Sequence, residues 1–131
     1  MSLTANEQYR LELINRARLD PEGEAARFGI ALNLGLPDGT IGAATKQPLA
    51  GAPALHTAAD AHSGWMLAAN TFSHTGEGGS SVRDRIDTAG YEFGRSWHVG
   101  ENIAWTGTTG TLDLAAAIDR HHRGLFESAG H

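Results

Sequence analysis

The sequence predicts an α+β domain that is mostly helical over the stretch given, and three observations carry that prediction. Valine occurs only at Val82 and Val99, which leaves little β-branched material for a large sheet. Apolar residues recur at helical spacing in several separate segments. One segment, Trp97 to Trp105, alternates at period two, with Trp97, Val99, Glu101, Ile103 and Trp105 on one face.

In order along the chain, Thr4 and Glu7 make a capping box ahead of Tyr9, Leu13, Ile14 and Ala17, so residues 6–19 read as an amphipathic helix. Pro21 stops it, and Asp20 caps a short second helix with Glu22 and Glu24 near its positive end and Gly29 as its exit. Ile30 to Leu36 alternates weakly before Pro37-Asp38-Gly39 and reads as an ordered loop rather than a strand. Residues 35–53 form a long connection rich in glycine, proline and alanine. A longer helix runs from Ala54 to about Asn70 with Leu55, Ala59, His62, Met66 and Ala69 on one face. Gly64 inside it costs about 1 kcal/mol relative to alanine, so a close backbone contact is expected there. Ser80 or Ser81 opens a further helical piece carrying Val82 and Ile86, with Gly90 as its left-handed exit. Trp97 to Trp105 is the best strand. A threonine near Thr111 is expected to cap a last helix with an inner stripe of Leu114, Ile118, His121 and Leu125, and Gly76-Glu77-Gly78-Gly79 reads as a flexible turn.

One strand cannot satisfy its own backbone donors and acceptors. We therefore expect partner strands after His131, and take residues 1–131 as a single domain incomplete at its C-terminus. The length supports one modest core.

Ten basic against fifteen acidic side chains give a net charge of −5. With no cluster of lysines or arginines, nucleic acid and anionic membrane surfaces are excluded as partners. The chain lacks an apolar run long enough for a transmembrane segment, and residues 1–10 do not read as a signal peptide. Zero cysteines exclude a disulfide framework, a CxxC zinc site and a thiol nucleophile. HExxH, GxSxG, Walker and GxGxxG motifs are absent as well.

The chemically odd residue is Glu101, a carboxylate among large apolar neighbours. Such a group is costly unless it is paired, protonated or metal-bound. His74, in a loop just past the long helix, is a candidate partner. His62, on the inner helix face, reads as a hydrogen-bonded core histidine. His121 and His122 diverge by about 100° on a helix, so at most one faces inward.

Five segments in order are similar to the CAP superfamily (SCP-like; the cysteine-rich secretory protein, antigen 5 and pathogenesis-related 1 group) in its bacterial form. They are Leu11 to Arg18, Ala58-Ala59 through His62 and Met66 to Phe72-Ser73-His74, Asp84-Arg85-Ile86 to Ala89-Gly90-Tyr91, Gly100-Glu101-Asn102-Ile103-Ala104, and Ser128-Ala129-Gly130-His131. The resemblance implies an α/β/α sandwich whose final strands lie beyond His131. It also implies a cavity in which His74, Glu101 and His131 hold zinc or another divalent metal, although Ser128 stands where eukaryotic members carry a second glutamate. Two N donors, one O donor and water suit an open zinc site, with affinity falling below about pH 6.5 as imidazole protonates. The function implied is a secreted or extracellular, non-enzymatic binding module for a lipid, glycan or protein ligand. The alternative is a zinc-dependent hydrolase of peptides or esters that uses the same cleft.

Overall fold

A computed structural model describes residues 2–131. It has five α-helices: α1 (Ala5–Leu19), α2 (Pro21–Arg27), α3 (Pro53–Ala68), α4 (Val82–Thr88) and α5 (Leu114–Glu127), with a 3-10 turn at Glu77–Gly79 before α4. Among the described residues there is no β-strand. This overturns the expected α+β class and its α/β/α sandwich. Trp97 to Trp105 is irregular chain without a ladder partner, because alternation fixes which side chains share a face but cannot supply a neighbouring strand. Ile30 to Leu36 is a run of turns, with Leu34 N–H donating to Ala31 O at 3.0 Å and Leu36 N–H to Asn33 O at 2.9 Å.

The described residues group into two compact units. A central unit spans Gly51–Ile103 with Ser2, and a terminal unit comprises Leu3–Ala50 and Ala104–His131.

In the terminal unit α1 packs on both α2 and α5, burying Leu13, Ala25 and Ala117. The capping box forms as expected, with Thr4 Oγ1 accepting from Glu7 N–H and the Glu7 carboxylate accepting from Thr4 N–H. Asp20 serves two helices: its N–H closes α1 on Arg16 O at 3.2 Å, and its side chain accepts from Gly23 N–H at 2.9 Å to open α2. A Cβ on Gly23 would lie 2.1 Å from Asp20 Oδ2, so glycine is what lets the cap close. The long connection is tied down by polar bonds. Leu49 N–H donates to Asn15 Oδ1 at 2.7 Å and Lys46 N–H to Arg18 O at 2.8 Å. The cap of α5 is Asp113, accepting from Ala116 N–H at 3.0 Å, and not a threonine. The helix turns Ala117 and His122 inward, so the phase expected through His121 is displaced by one residue.

The polar centre of this unit is Glu24, 2% exposed. Arg16 clamps it in a fork, Nε to Oε2 at 2.9 Å and Nη2 to Oε1 at 2.6 Å, with Arg27 Nε at 3.6 Å. Burial opposes ionisation of Glu24, but the Arg16 bonds and charge outweigh it and hold the carboxyl below its ordinary range. His122 Nε2 lies 3.6 Å from Glu24 Oε1, and burial followed by the Arg10 charge pushes its imidazole down.

In the central unit α3 packs on α4, burying Ala58, Ile86 and His62. Ser81 opens α4 with a capping box to Asp84, and Gly90 leaves it at φ +87°. Residues 91–97 are held by side chains. Tyr91 and Phe93, then Phe93 and Trp97, place ring centroids 5.2 Å apart, and the Arg83 guanidinium lies 4.9 Å and 5.0 Å from the Phe93 and Trp97 centroids. No close backbone contact exists at Gly64, where an added Cβ would meet nothing within 4 Å.

Two stability outcomes follow from these contacts. Gly64→Ala is expected to raise stability by about 1 kcal/mol, whereas Gly23→Ala lowers it by about 1 kcal/mol through the lost cap; urea denaturation followed by circular dichroism measures both. Glu24→Gln, which takes the charged acceptor away from the partly exposed Arg16 fork, is expected to cost about 1–3 kcal/mol. The wild type should lose stability from about pH 6.5 downward, because the unfolded chain protonates His122 while the folded chain resists, and further below about pH 4.3 as Glu24 takes its proton. His122→Phe should flatten the upper part of that profile.

Candidate functional site

The site belongs to the central unit and is built around Glu101. Three elements deliver its partners: α3 brings His62, the loop after α3 brings His74, and α4 brings Arg85. His74 Nδ1 lies 3.0 Å from Glu101 Oε1, and Arg85 Nη2 donates to Oε2 at 2.7 Å. The second Arg85 terminal nitrogen, Nη1, donates to the carbonyls of His74 and Ser80, each at 3.0 Å. One guanidinium thus fixes the backbone of the loop and the carboxylate together. Gly76 makes room for it, since a Cβ there would lie 2.6 Å from Ser80 Oγ and 3.0 Å from Arg85 Nη1. Gly78 and Gly79, at φ +64° and +80°, carry the chain around the 3-10 turn that follows.

His62 is 3% exposed, a hydrogen-bonded core histidine as expected. Its Nε2 lies 2.9 Å from Ser73 O and therefore carries the hydrogen, and the ring stacks on Trp65 with centroids 5.7 Å apart. Its Nε2 is also 4.0 Å from Glu101 Oε1, adding weak positive character behind the carboxylate when the ring is protonated.

Electrostatics set the state of the pair. Burial opposes ionisation of Glu101, but the hydrogen bonds from His74 and Arg85 and the Arg85 charge exceed it, so the carboxyl titrates below its usual range. Facing an ionised oxygen, a neutral His74 holds its hydrogen on Nδ1 and keeps the Nε2 lone pair free. The His74 side chain is 54% exposed, against 16% for Glu101. A carboxylate that orients an accessible imidazole in this way can present Nε2 to a hydrogen-bond donor or a proton.

The structure therefore brings His74 and Glu101 together. His131 belongs to the terminal unit, where its Nδ1 shares a hydrogen bond with Ser128 Oγ at 2.8 Å. Among the described residues no group of three or more histidine, aspartate and glutamate side chains is arranged to hold a metal ion. The central unit offers two donors, His74 and Glu101, with His62 Nε2 committed to a carbonyl. Two are fewer than the three protein ligands of an open zinc site, so the pair alone does not fit that ion. Trp105, placed by alternation on the Glu101 face, lies in the terminal unit. Arg85 is the partner that sequence reasoning did not assign. The signal was Glu101 itself, whose apolar neighbours demanded a cation, but nothing local points to a helix sixteen residues upstream.

Glu101→Gln is expected to destabilise the central unit by about 1–3 kcal/mol, because the Arg85 bonds lose their charged acceptor. Nitrogen NMR of His74 should show the Nδ1–H tautomer of the neutral ring in the wild type, and a mixture of tautomers in the variant. The Glu101 contribution is present above the ordinary carboxylate range and is lost as pH falls through the depressed value. No protein-family model, curated protein or solved structure matches this chain.

Proposed function

We propose that the chain is an exported, non-enzymatic recognition module that engages its ligand at the His74–Glu101 site. The observation that carries this reading is the full pairing of Glu101: one oxygen faces His74 and the other accepts from Arg85. A carboxylate held ionised and doubly bonded is a poor general base, and its work is to aim His74. No hydroxyl is hydrogen-bonded to the His74 ring among the described residues, so the pair lacks the nucleophile of a hydrolytic dyad. The five segments similar to CAP domains support export and a lipid, glycan or protein ligand. Among the described residues no helix is long and apolar enough to cross a membrane.

A second reading draws on the same bonds: Glu101 also ties the loop after α3 to α4. The two roles separate by experiment, since a purely structural tie predicts that His74→Ala leaves ligand affinity unchanged.

Wild type and Glu101→Gln assayed against peptides and esters, with and without added zinc, should show no turnover above the blank. Zinc-dependent turnover that the substitution abolishes would overturn the non-enzymatic reading. Calorimetric zinc titration of wild type and His74→Ala tests the ion independently. Binding lost in the variant, and weakening below about pH 6.5, would make His74 a metal ligand.

A further inference from the structure

The central unit holds a cleft of about 360 Å³ lined by α3, α4 and the 3-10 turn before α4. That volume lies within the range of small-molecule sites. Ala58 and Ala61 of α3 and Ala89 of α4 give it apolar walls, Trp65 contributes an aromatic ring, and Thr88 adds a methyl and a hydroxyl.

Its charge is decided by three titratable side chains: His62, Glu77 and Arg85. Arg85 is spent, because its terminal nitrogens serve Glu101 and the carbonyls of His74 and Ser80. His62 is buried with Nε2 on Ser73 O and its ring on Trp65. Glu77, on the 3-10 turn, is exposed and makes no side-chain hydrogen bond or ion pair among the described residues. The uncompensated charge at the cleft is therefore a single carboxylate in a lining that is otherwise mostly apolar.

We propose that this cleft binds a lipophilic amine, a primary or secondary ammonium on a flat apolar body, with the ammonium at Glu77 and the body against Trp65 and the alanine walls. An ammonium gains from the Glu77 carboxylate, whereas an anion meets repulsion there and finds Arg85 already occupied. The apolar body supplies most of the binding through area removed from water, and the charge selects among molecules of the same shape. This site goes beyond the His74–Glu101 reading and does not depend on it.

The test uses three probes of one shape, 2-phenylethylammonium, 2-phenylethanol and 3-phenylpropionate, titrated into the full chain and followed by calorimetry and amide NMR shifts. The ammonium should bind saturably, about two- to fivefold more tightly than the alcohol, with the carboxylate weakest. Shifts should centre on Ala58, Ala61 and Ala89. Glu77→Gln, which removes no intramolecular bond, should bring the ammonium to the level of the alcohol and leave the alcohol unchanged. Trp65→Ala should weaken ammonium and alcohol alike. Absence of saturable ammonium binding to the wild type, equal binding of all three probes, or unchanged ammonium affinity in Glu77→Gln would each overturn the proposal.

Discussion

A carboxylate removed from water has to be paired, protonated or metal-bound, and in each unit of this chain an arginine meets that need across separate segments. In the terminal unit the carboxylate is Glu24, gripped by Arg16 from the preceding helix. In the central unit it is Glu101, gripped by Arg85 of α4. Apolar burial alone would not fix these arrangements: among the described residues the buried apolar side chains are few and small, chiefly alanines with Leu13 and Ile86. Small side chains fit together in several registers at little cost, whereas a forked ion pair tolerates one. Whether the ionic centres add net stability over an apolar substitute is a separate matter from the specificity they impose.

The two centres differ in what they leave over. Around Glu24 the surrounding cations exceed the single acid, and the nearby imidazole of His122 is kept neutral by burial and by Arg10. The partners of Glu24 that reach solvent, Arg16 and Arg27, are guanidinium groups, which offer donors but no free lone pair. Around Glu101 the acid and the guanidinium match one for one, and the remaining partner, His74, reaches solvent. The exposed partner makes the second centre a candidate site: it has an orientation imposed from inside and a ring nitrogen available outside.

Much of this was legible in local chemistry. Thr4 with Glu7, Asp20 with Pro21 and a serine at 80 or 81 ahead of Val82 mark helix starts because caps act over three or four residues. Glu101 announced its need for partners because its neighbours were large and apolar, and His74 was the right one. Non-local choices were not legible. The alternation from Trp97 to Trp105 looked like a strand, yet pairing depends on a second segment that the pattern cannot report. Arg85 lay on a helix whose phase was readable, but the distance to Glu101 was not. The inward turn of His122 rather than His121 follows from how α5 packs on α1, and the open space beside Gly64 from how α3 packs on α4, each a property of a pair of elements.

Asp20 closes one helix with its amide and starts the next with its carboxylate. Unwinding of the last turn of α1 therefore removes the anchor from the first turn of α2, and fraying cannot stop at the boundary between them. The two segments behave as one cooperative block in which a single short side chain transmits local melting, so Arg16 and Glu24, which lie on either side of that joint, are released or retained together.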